Sequence, residues 1–304
     1  RQSSAEMEKI MKIIPITEML KRAEQGGYGV GSFSARNTYL IDAVLQAAEN
    51  TGSPVIVQIS ANEFNWFQVS AKEFADRFYQ VADRYQVEAV LHLDHTKELS
   101  IIRDAIDAGF TSVMIDASQK EFEENIRITK EVTDYAHAKG VAVEAELGKI
   151  GSADKVETDN DESLYTDPAE AEEFVRRTGV DTLAVSIGTA HGVYPVKNPQ
   201  IDLNRLQDIR SRTAIPLVLH GGSGLPAETV WKAITVPGGG VSKINIATDL
   251  EQAFLRSLGC QRKTNAEIWR MDHSALAVAA EEVRKVVEEK ITCFVRSAGK
   301  CLQG

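Results

Sequence analysis

The feature that most constrains the fold of this 304-residue chain is a repeat of short apolar runs, each followed by a segment with helical spacing. Eight such pairs follow one another. The predicted strands are Tyr28–Ser34, Pro54–Ser60, Ala89–Asp94, Ser112–Asp116, Val141–Leu147, Thr182–Ile187, Pro216–Leu219 and Val241–Ile246. The predicted helices are Thr38–Glu49, Ala71–Tyr85, Glu98–Ala108, Glu121–Lys139, Pro168–Thr178, Leu203–Arg212, Pro226–Ile234, Asp249–Leu258 and a longer one over Ala275–Gly299. This alternation predicts a parallel sheet of βα units.

Eight units favour a closed (β/α)8 TIM barrel of the α/β class, whose usual length is about 250 residues. The strands are continuous runs of Val, Ile and Leu, as is typical of a parallel sheet covered by helices. An open doubly wound sheet is the alternative, but no G-x-G-x-x-G turn follows the first strand. We therefore expect a polar N-terminal tail over residues 1–10 and a single barrel domain with a C-terminal helix over residues 11–304.

Composition excludes several classes of partner. The net charge of -10 disfavours a nucleic-acid binder, which needs a basic face. No apolar stretch approaches the roughly 20 residues of a membrane-spanning helix. The three cysteines are Cys260, Cys293 and Cys301, and their spacing fits no zinc or redox motif. They predict free thiols in a reducing compartment, and hence a cytoplasmic protein.

Three of the six histidines, His95, His191 and His220, fall at or just beyond predicted strand ends. Active sites of such barrels lie at the carboxyl ends of the strands. Three imidazoles at one barrel mouth predict a catalytic zinc site with an open fourth position. The alternative is three separate histidines, each satisfied by backbone carbonyls.

Polar residues also end other strands: Ser60, Asp94, Asp116 and Glu146. Asp94 directly precedes His95, so it is a candidate general acid or base. Its alternative role is to orient an imidazole.

Two loops indicate phosphate binding. Residues 220–224 carry Gly221, Gly222 and Ser223, and Asn245–Thr248 lead into the last barrel helix. Their N–H groups and the helix N-terminus can hold an anion. The acidic segment Lys149–Thr166 has no apolar periodicity and is either a mobile lid or a solvated surface loop.

Seven strings of the chain together resemble the class II, zinc-dependent ketose-bisphosphate aldolases, which include the fructose- and tagatose-1,6-bisphosphate enzymes. The strings are LHLDHT (91–96), SVMIDAS (112–118), VEAELGKIGS (143–152), LYTDP (164–168), AVSIGTAHGVY (184–194), PLVLHGGSGLP (216–226) and KINIATDL (243–250). The resemblance runs in order from about Ile14 to Ala298 and implies a (β/α)8 barrel.

The resemblance implies a role for each matching residue. It implies that His95, His191 and His220 bind Zn²⁺. It further implies that Asp94 moves the proton of the C4 hydroxyl and that Asp154 is the lid acid. Asp116 and Glu146 are the implied residues that can hold the metal in an alternative position. The implied substrate-binding residues are Ser60, Gly192, Gly221, Gly222, Ser223, Asn245, Ile246, Ala247 and Thr248. It also implies a monovalent cation (Na⁺ or K⁺) beside the phosphate, and a homodimer or homotetramer.

The implied activity belongs to glycolysis and carbohydrate metabolism. It is reversible cleavage of a ketose 1,6-bisphosphate, fructose 1,6-bisphosphate above all, to dihydroxyacetone phosphate and glyceraldehyde 3-phosphate through a zinc-stabilised enediolate. The chain departs from the family pattern at Phe33-Ser34, where F-N is common, and Arg270 and His273 are not clean matches to the arginine that reaches the second phosphate.

Three alternatives stay open. The chain could act on tagatose 1,6-bisphosphate or a related ketose phosphate, or bind zinc and sugar phosphate without turnover. It could also be a barrel metallohydrolase, although the Phe33–Asn37 stretch lacks the expected histidine.

Overall fold

Eight parallel strands close into a barrel in the computed structural model, which describes residues 11–152, 164–192, 194 and 199–301. The strands are β1 Val30–Ser34, β2 Val55–Ser60, β3 Glu88–Asp94, β4 Ser112–Ile115, β5 Ala142–Leu147, β6 Thr182–Val185, β7 Leu217–Leu219 and β8 Val241–Ile246. Each strand pairs with the next, and β8 pairs with β1, with Ile244 opposite Gly31. The predicted (β/α)8 barrel is confirmed.

A helix follows each barrel strand. These helices are α1 Ile41–Thr51, α2 Ala71–Gln80, α3 Leu99–Ala108, α4 Phe122–His137, α5 Pro168–Thr178, α6 Leu203–Arg212, α7 Ala227–Ile234 and α8 Thr248–Leu258. The sequence boundaries of α5 were predicted correctly because its signals are local. Asp167 caps it, accepting from the N–H groups of Ala169 and Glu170 at 2.8 and 2.9 Å, and Gly179 ends it in the left-handed conformation.

Several further elements surround the barrel. They are an N-terminal helix Ile16–Gly26, short helices Ala61–Phe67 and Asn265–Trp269, a 3₁₀ turn Ala82–Arg84, a C-terminal helix His273–Glu289 that continues as a π-helical segment Lys290–Val295, and two-residue strands Lys12–Ile13, Gly151–Ser152 and Ala190–His191. The N-terminal helix and the short helices Ala61–Phe67 and Asn265–Trp269 were not predicted from the sequence. The C-terminal helix also begins and ends earlier than predicted.

The two faces of each barrel strand bury different chemistry. In β3, Ala89, Leu91 and Leu93 belong to the apolar core between strands and helices, whereas His92 and Asp94 do not. The same alternation in β5 separates Val143, Ala145 and Leu147 from Glu144 and Glu146, and all five are buried. The strands are therefore less uniformly apolar than predicted, because their inner faces carry the polar groups of the barrel interior.

The N-terminal helix packs at the amino-terminal ends of the strands. Its Met19 and Leu20 form an apolar cluster with Val30, Ile56 and Val90, which lie near the starts of β1, β2 and β3. All five side chains are fully buried. The amino end of the barrel is thus closed by apolar packing, and the polar groups lie toward the carboxyl end.

Candidate active site

The structure brings the three predicted histidines together at the carboxyl end of the barrel. The ring centroids of His95 and His220 are 4.4 Å apart, those of His95 and His191 4.7 Å, and those of His191 and His220 5.6 Å. One ring nitrogen from each lies within 4.8 Å of the others. Three nitrogen donors at this spacing can bind one metal ion.

His95 is held by one ring nitrogen and leaves the other unbound. Its Nδ1 lies 3.0 Å from Asp116 Oδ2, and Asp116 is itself fixed by the hydroxyl of Ser118 at 2.6 Å. The Nε2 atom of His95 is buried and has no hydrogen-bond partner in the described part of the chain. A carboxylate on one nitrogen of an imidazole commonly orients the other toward a metal.

His220 shows the same arrangement with the two nitrogens exchanged. Its Nε2 donates to Glu144 Oε1 at 2.8 Å, and both side chains are fully buried. Its Nδ1 lies 3.1 Å from Glu146 Oε2 without the alignment of a hydrogen bond, and it has no other partner among residues 11–152, 164–192, 194 and 199–301. Glu144 was not predicted as a site residue, although its spacing of two from Glu146 places both on the same strand face.

His191 is positioned by a short strand and a close loop. Ala190–His191 pairs in parallel with Gly151–Ser152. Gly221 has φ +69, and a Cβ there would lie 2.1 Å from the Ala190 carbonyl oxygen, so only glycine fits. The Tyr194 hydroxyl accepts from the Ala190 N–H and donates to the Gly221 carbonyl, both at 2.8 Å. The His191 segment is thereby fixed against the His220 loop.

Asp94 ends β3 as a buried carboxylate fixed by two amides. Gln58 Nε2 donates to its Oδ2 at 3.2 Å and Asn245 Nδ2 to its Oδ1 at 3.0 Å. Burial raises the pKa of this carboxyl, but the positive charges of His95, Lys243 and His220 outweigh it and lower the pKa to about 2. Asp94 is therefore an ionised acceptor next to the histidines.

The surroundings of His95 favour positive charge on the imidazole, whereas those of His191 disfavour it. Burial lowers the pKa of His95, but the carboxylates of Asp94, Asp116 and Glu146 outweigh it and raise the pKa to about 10. Burial and the charge of its histidine neighbours lower the pKa of His191 to about 3. Two unbound buried nitrogens, a third imidazole and adjacent carboxylates fit a divalent metal ion, whose charge the carboxylates would compensate.

The two predicted phosphate loops lie against each other. The Gly222 N–H donates to the Asn245 carbonyl at 2.9 Å, and the Ser223 hydroxyl accepts from the N–H groups of Ala247 and Asp249 at 3.1 and 3.2 Å. Thr248 is the first residue of α8, so these loops sit at its N-terminus. The Asn245 side chain is engaged with Asp94, and the Ile246 side chain belongs to the outer apolar core.

The remaining predicted site residues have separate placements. Gly192 directly follows His191 with φ +100. Ser60 caps the helix Ala61–Phe67, where its hydroxyl accepts from the Glu63 N–H at 3.4 Å and its own N–H donates to Glu63 Oε2 at 2.9 Å. Asp154, the predicted lid acid, lies outside the described residues, as does the predicted tail over residues 1–10.

Comparison with known proteins decides the family. A model of the family described as fructose-bisphosphate aldolase class-II matches residues 14–300. The chain belongs to this class II aldolase family. Family members are metal-dependent carbon–carbon lyases, so the predicted resemblance and enzyme class are confirmed.

Relatives and solved structures agree with the assignment. The chain is 41% identical over 257 residues to a fructose-bisphosphate aldolase of Geobacillus stearothermophilus, covering 82% of this chain and 85% of the relative. It is 36% identical over 294 residues to one of Staphylococcus epidermidis, covering 93% and 98%. The crystal structure of the YdjI aldolase from Escherichia coli K12 superposes with a TM-score of 0.81 at 34% identity, covering 95% of this chain and all of that one.

In the part of the chain that the structure describes, no helix is both long and apolar enough to cross a membrane.

Proposed function

We propose that this class II aldolase is zinc-dependent and reversibly cleaves fructose 1,6-bisphosphate to dihydroxyacetone phosphate and glyceraldehyde 3-phosphate. The observation that carries the proposal is a pair of buried nitrogens, His95 Nε2 and His220 Nδ1, that have no hydrogen-bond partner among the described residues and lie beside the ionised carboxylate of Asp94. Tagatose 1,6-bisphosphate and related ketose phosphates are the alternative substrates, because the string NIAT at 245–248 is more similar to the tagatose-type form than to NIDT.

His95, His191 and His220 would hold the zinc ion. A divalent cation there supplies a Lewis acid for the C2 carbonyl of the ketose. Asp116 and Glu144 keep the rings of His95 and His220 in the tautomers that leave His95 Nε2 and His220 Nδ1 free to bind. Asp116 and Glu146 also form a cluster with His95 that could hold the ion in a second position.

Asp94 would act as the base for bond cleavage. It takes the proton of the C4 hydroxyl, the C3–C4 bond breaks, and the C4 carbonyl of the aldehyde forms. The electron pair of the broken bond stays on the three-carbon ketone half. The amides of Gln58 and Asn245, one on each carboxylate oxygen, fix the direction of the Asp94 side chain. In the condensation direction Asp94 returns the proton. Asp154 would exchange the proton at C3 of the ketone half.

The loops after β7 and β8 would hold the phosphate of the dihydroxyacetone half. Backbone N–H groups of Gly192, Gly221–Ser223 and Asn245–Thr248, other than those of Gly222 and Ala247, which already donate within the loops, and the N-terminal dipole of α8 would supply the positive potential. A monovalent cation (Na⁺ or K⁺) could lie beside the phosphate on carbonyls of the same glycines. Ser60 would contact the substrate at the end of β2. This arrangement needs no excess of basic side chains and is compatible with a net charge of -10.

The organisation around this site is also part of the proposal. Residues 11–304 would form one domain, with a polar tail over residues 1–10. The enzyme would work in the cytoplasm as a homodimer or homotetramer.

Triose-phosphate release from fructose and tagatose 1,6-bisphosphates, measured with and without a chelator, tests the function. We expect activity on fructose 1,6-bisphosphate that the chelator abolishes and added Zn²⁺ restores. Faster turnover of tagatose 1,6-bisphosphate would move the substrate assignment to the alternative. Zinc binding without turnover of either substrate would contradict both assignments and favour a ketose phosphate of another kind or a binding protein. Activity after complete metal removal would contradict the metal-dependent mechanism.

A further inference from the structure

A fully buried lysine, Lys243, lies inside the barrel one layer below the predicted phosphate loop. It is on β8, two residues before Asn245, so both side chains are on the inner face of the strand. Its ammonium group contacts Glu144 Oε2 and Asn245 Oδ1, each at 2.8 Å. Neither the predicted catalytic step nor the predicted phosphate loops use this lysine.

Lys243 stands beside a second cluster that has the composition of a metal site. His92 Nε2 lies 3.5 Å from Glu144 Oε2 and 4.0 Å from Asp94 Oδ1, and all the potential ligand atoms lie within 4.8 Å of one another. Two zinc–ligand bonds of about 2.0–2.2 Å each can span the 3.5 and 4.0 Å separations of His92 from the two carboxylates. His92 Nε2 is buried and is without a hydrogen-bond partner in the ranges that the structure covers. By its donors alone, this cluster could bind a cation.

The lysine charge already compensates these groups. The ammonium lies against Glu144, the residue that the cluster shares with the support of His220. Glu144 Oε2, the oxygen that the ammonium contacts at 2.8 Å, is also the oxygen that lies 3.5 Å from His92 Nε2. A divalent ion bound by the cluster would be repelled by an ammonium a few ångströms away.

Lys243 also connects the two functional parts of the site. Through Glu144 it reaches His220 Nε2, and through Asn245 it reaches Asp94 Oδ1. The chain His220–Glu144–Lys243–Asn245–Asp94 is thus continuous. The ammonium in its middle contacts the carboxylate that accepts from His220. It also accounts for the orientation of the Asn245 amide, whose oxygen accepts from Lys243 while its NH₂ donates to Asp94.

We propose that Lys243 is a built-in cation that takes the place of a second metal ion at the His92–Asp94–Glu144 cluster and positions both His220 and Asp94. The protein would then bind one catalytic ion rather than two. This inference rests on the proposed metal site at His95, His191 and His220, but it does not depend on the substrate.

Metal stoichiometry tests the inference directly. Purified chains are dialysed against Zn²⁺ alone, and in parallel against Mn²⁺ alone, and the ions per chain are determined by elemental analysis. We expect one ion for the wild type and for His92→Asn, two for Lys243→Met, and one for the Lys243→Met/His92→Asn double variant. Lys290→Met is the matched control, because Lys290 is also buried and ion-paired, with Asp249 at 2.7 Å, and it should keep one ion.

The positioning role has its own measurement. The double variant should bind its single ion 10- to 100-fold more weakly than His92→Asn. The reason is that Glu144, which holds His220, loses its contact with the Lys243 ammonium. A folded Lys243→Met chain that binds one ion with wild-type affinity would overturn the inference. If Lys243→Met does not fold, the comparison of the wild type with His92→Asn tests the inference instead. Two ions in the wild type and one in His92→Asn would show a second ion at the cluster and would overturn the inference. A wild type without metal would overturn the proposed function and the inference together.

Discussion

The lower and upper halves of the barrel interior are both buried but differ in chemistry. Near the strand starts, Val30, Ile56 and Val90 pack with the N-terminal helix in an apolar cluster. Near the strand ends, Gln58 and His92 are fully buried among carboxylates and a lysine. β2 and β3 each contribute one residue to the lower half and, two positions later, one to the upper half. These pairs are Ile56 and Gln58 on β2, and Val90 and His92 on β3.

The difference shows how one barrel separates stability from function. Apolar burial in the lower half gains free energy without requiring partners. Each buried polar group of the upper half must instead be compensated, which is why Glu144 meets both His220 and Lys243. Changes in the upper half should therefore affect metal binding and turnover, and changes in the lower half should affect unfolding. Three substitutions test this division, from the largest effect to the smallest.

Asp94→Asn should give the largest effect, a loss of cleavage of about 100-fold or more, because an amide cannot take the C4 proton. The variant should keep its zinc, since the proposed ligands are His95, His191 and His220 and do not include Asp94. The measurements are kcat/KM for fructose 1,6-bisphosphate and zinc content. Asp134→Asn, at an exposed carboxylate paired with Lys130, is the matched control. Near-normal turnover of Asp94→Asn would remove Asp94 from the mechanism.

Ile56→Ala should lower the free energy of unfolding by about 2–5 kcal/mol, because it leaves a cavity in the apolar cluster below the site. Zinc affinity, measured by competition with a chelator, should stay unchanged. Val278→Ala, at a 60% exposed side chain, is the control for stability measured by urea unfolding. A variant of Ile56 that loses zinc affinity while its stability is unaltered would contradict the division of the interior.

Glu144→Gln should weaken zinc binding about 10- to 100-fold, since a neutral amide holds the His220 N–H less strongly and would turn toward Lys243. Activity should return at saturating zinc. Chelator competition gives the dissociation constant, and Glu173→Gln on the surface of α5 serves as the control. Wild-type zinc affinity in Glu144→Gln would show that Glu144 does not support the metal ligand.

Local patterns carried most of the fold prediction. The capped helix Pro168–Thr178 was predicted with the correct bounds because its start and end signals lie within a few residues. The helix Ala61–Phe67 was missed, although Ser60 and Glu63 form a capping box, because it is only seven residues long and interrupts a βα connection. Position at or just beyond a strand end also sufficed to predict that His95, His191 and His220 lie together.

The residues that hold His220 and Asp94 in place could not be predicted from local patterns. Glu144 and His220 are 76 residues apart, and Asp94 and Asn245 are 151 apart. No local pattern relates such residues, so the sequence suggested a substrate-binding role for Asn245 and none for Glu144, Lys243 or Gln58.

The sequence by itself determined the eight βα units and the strand ends that carry histidines, because strand and helix periodicity depends on neighbouring residues. Only the tertiary structure decided which nitrogen of each histidine is free and which charges compensate one another. Closing the barrel brings β3, β5 and β8 face to face across its interior, and a buried charge is stable there only beside a partner that the closure supplies. The net charge of -10 says nothing about this interior, where Lys243 contacts Glu144, the carboxylate that holds the predicted metal ligand His220.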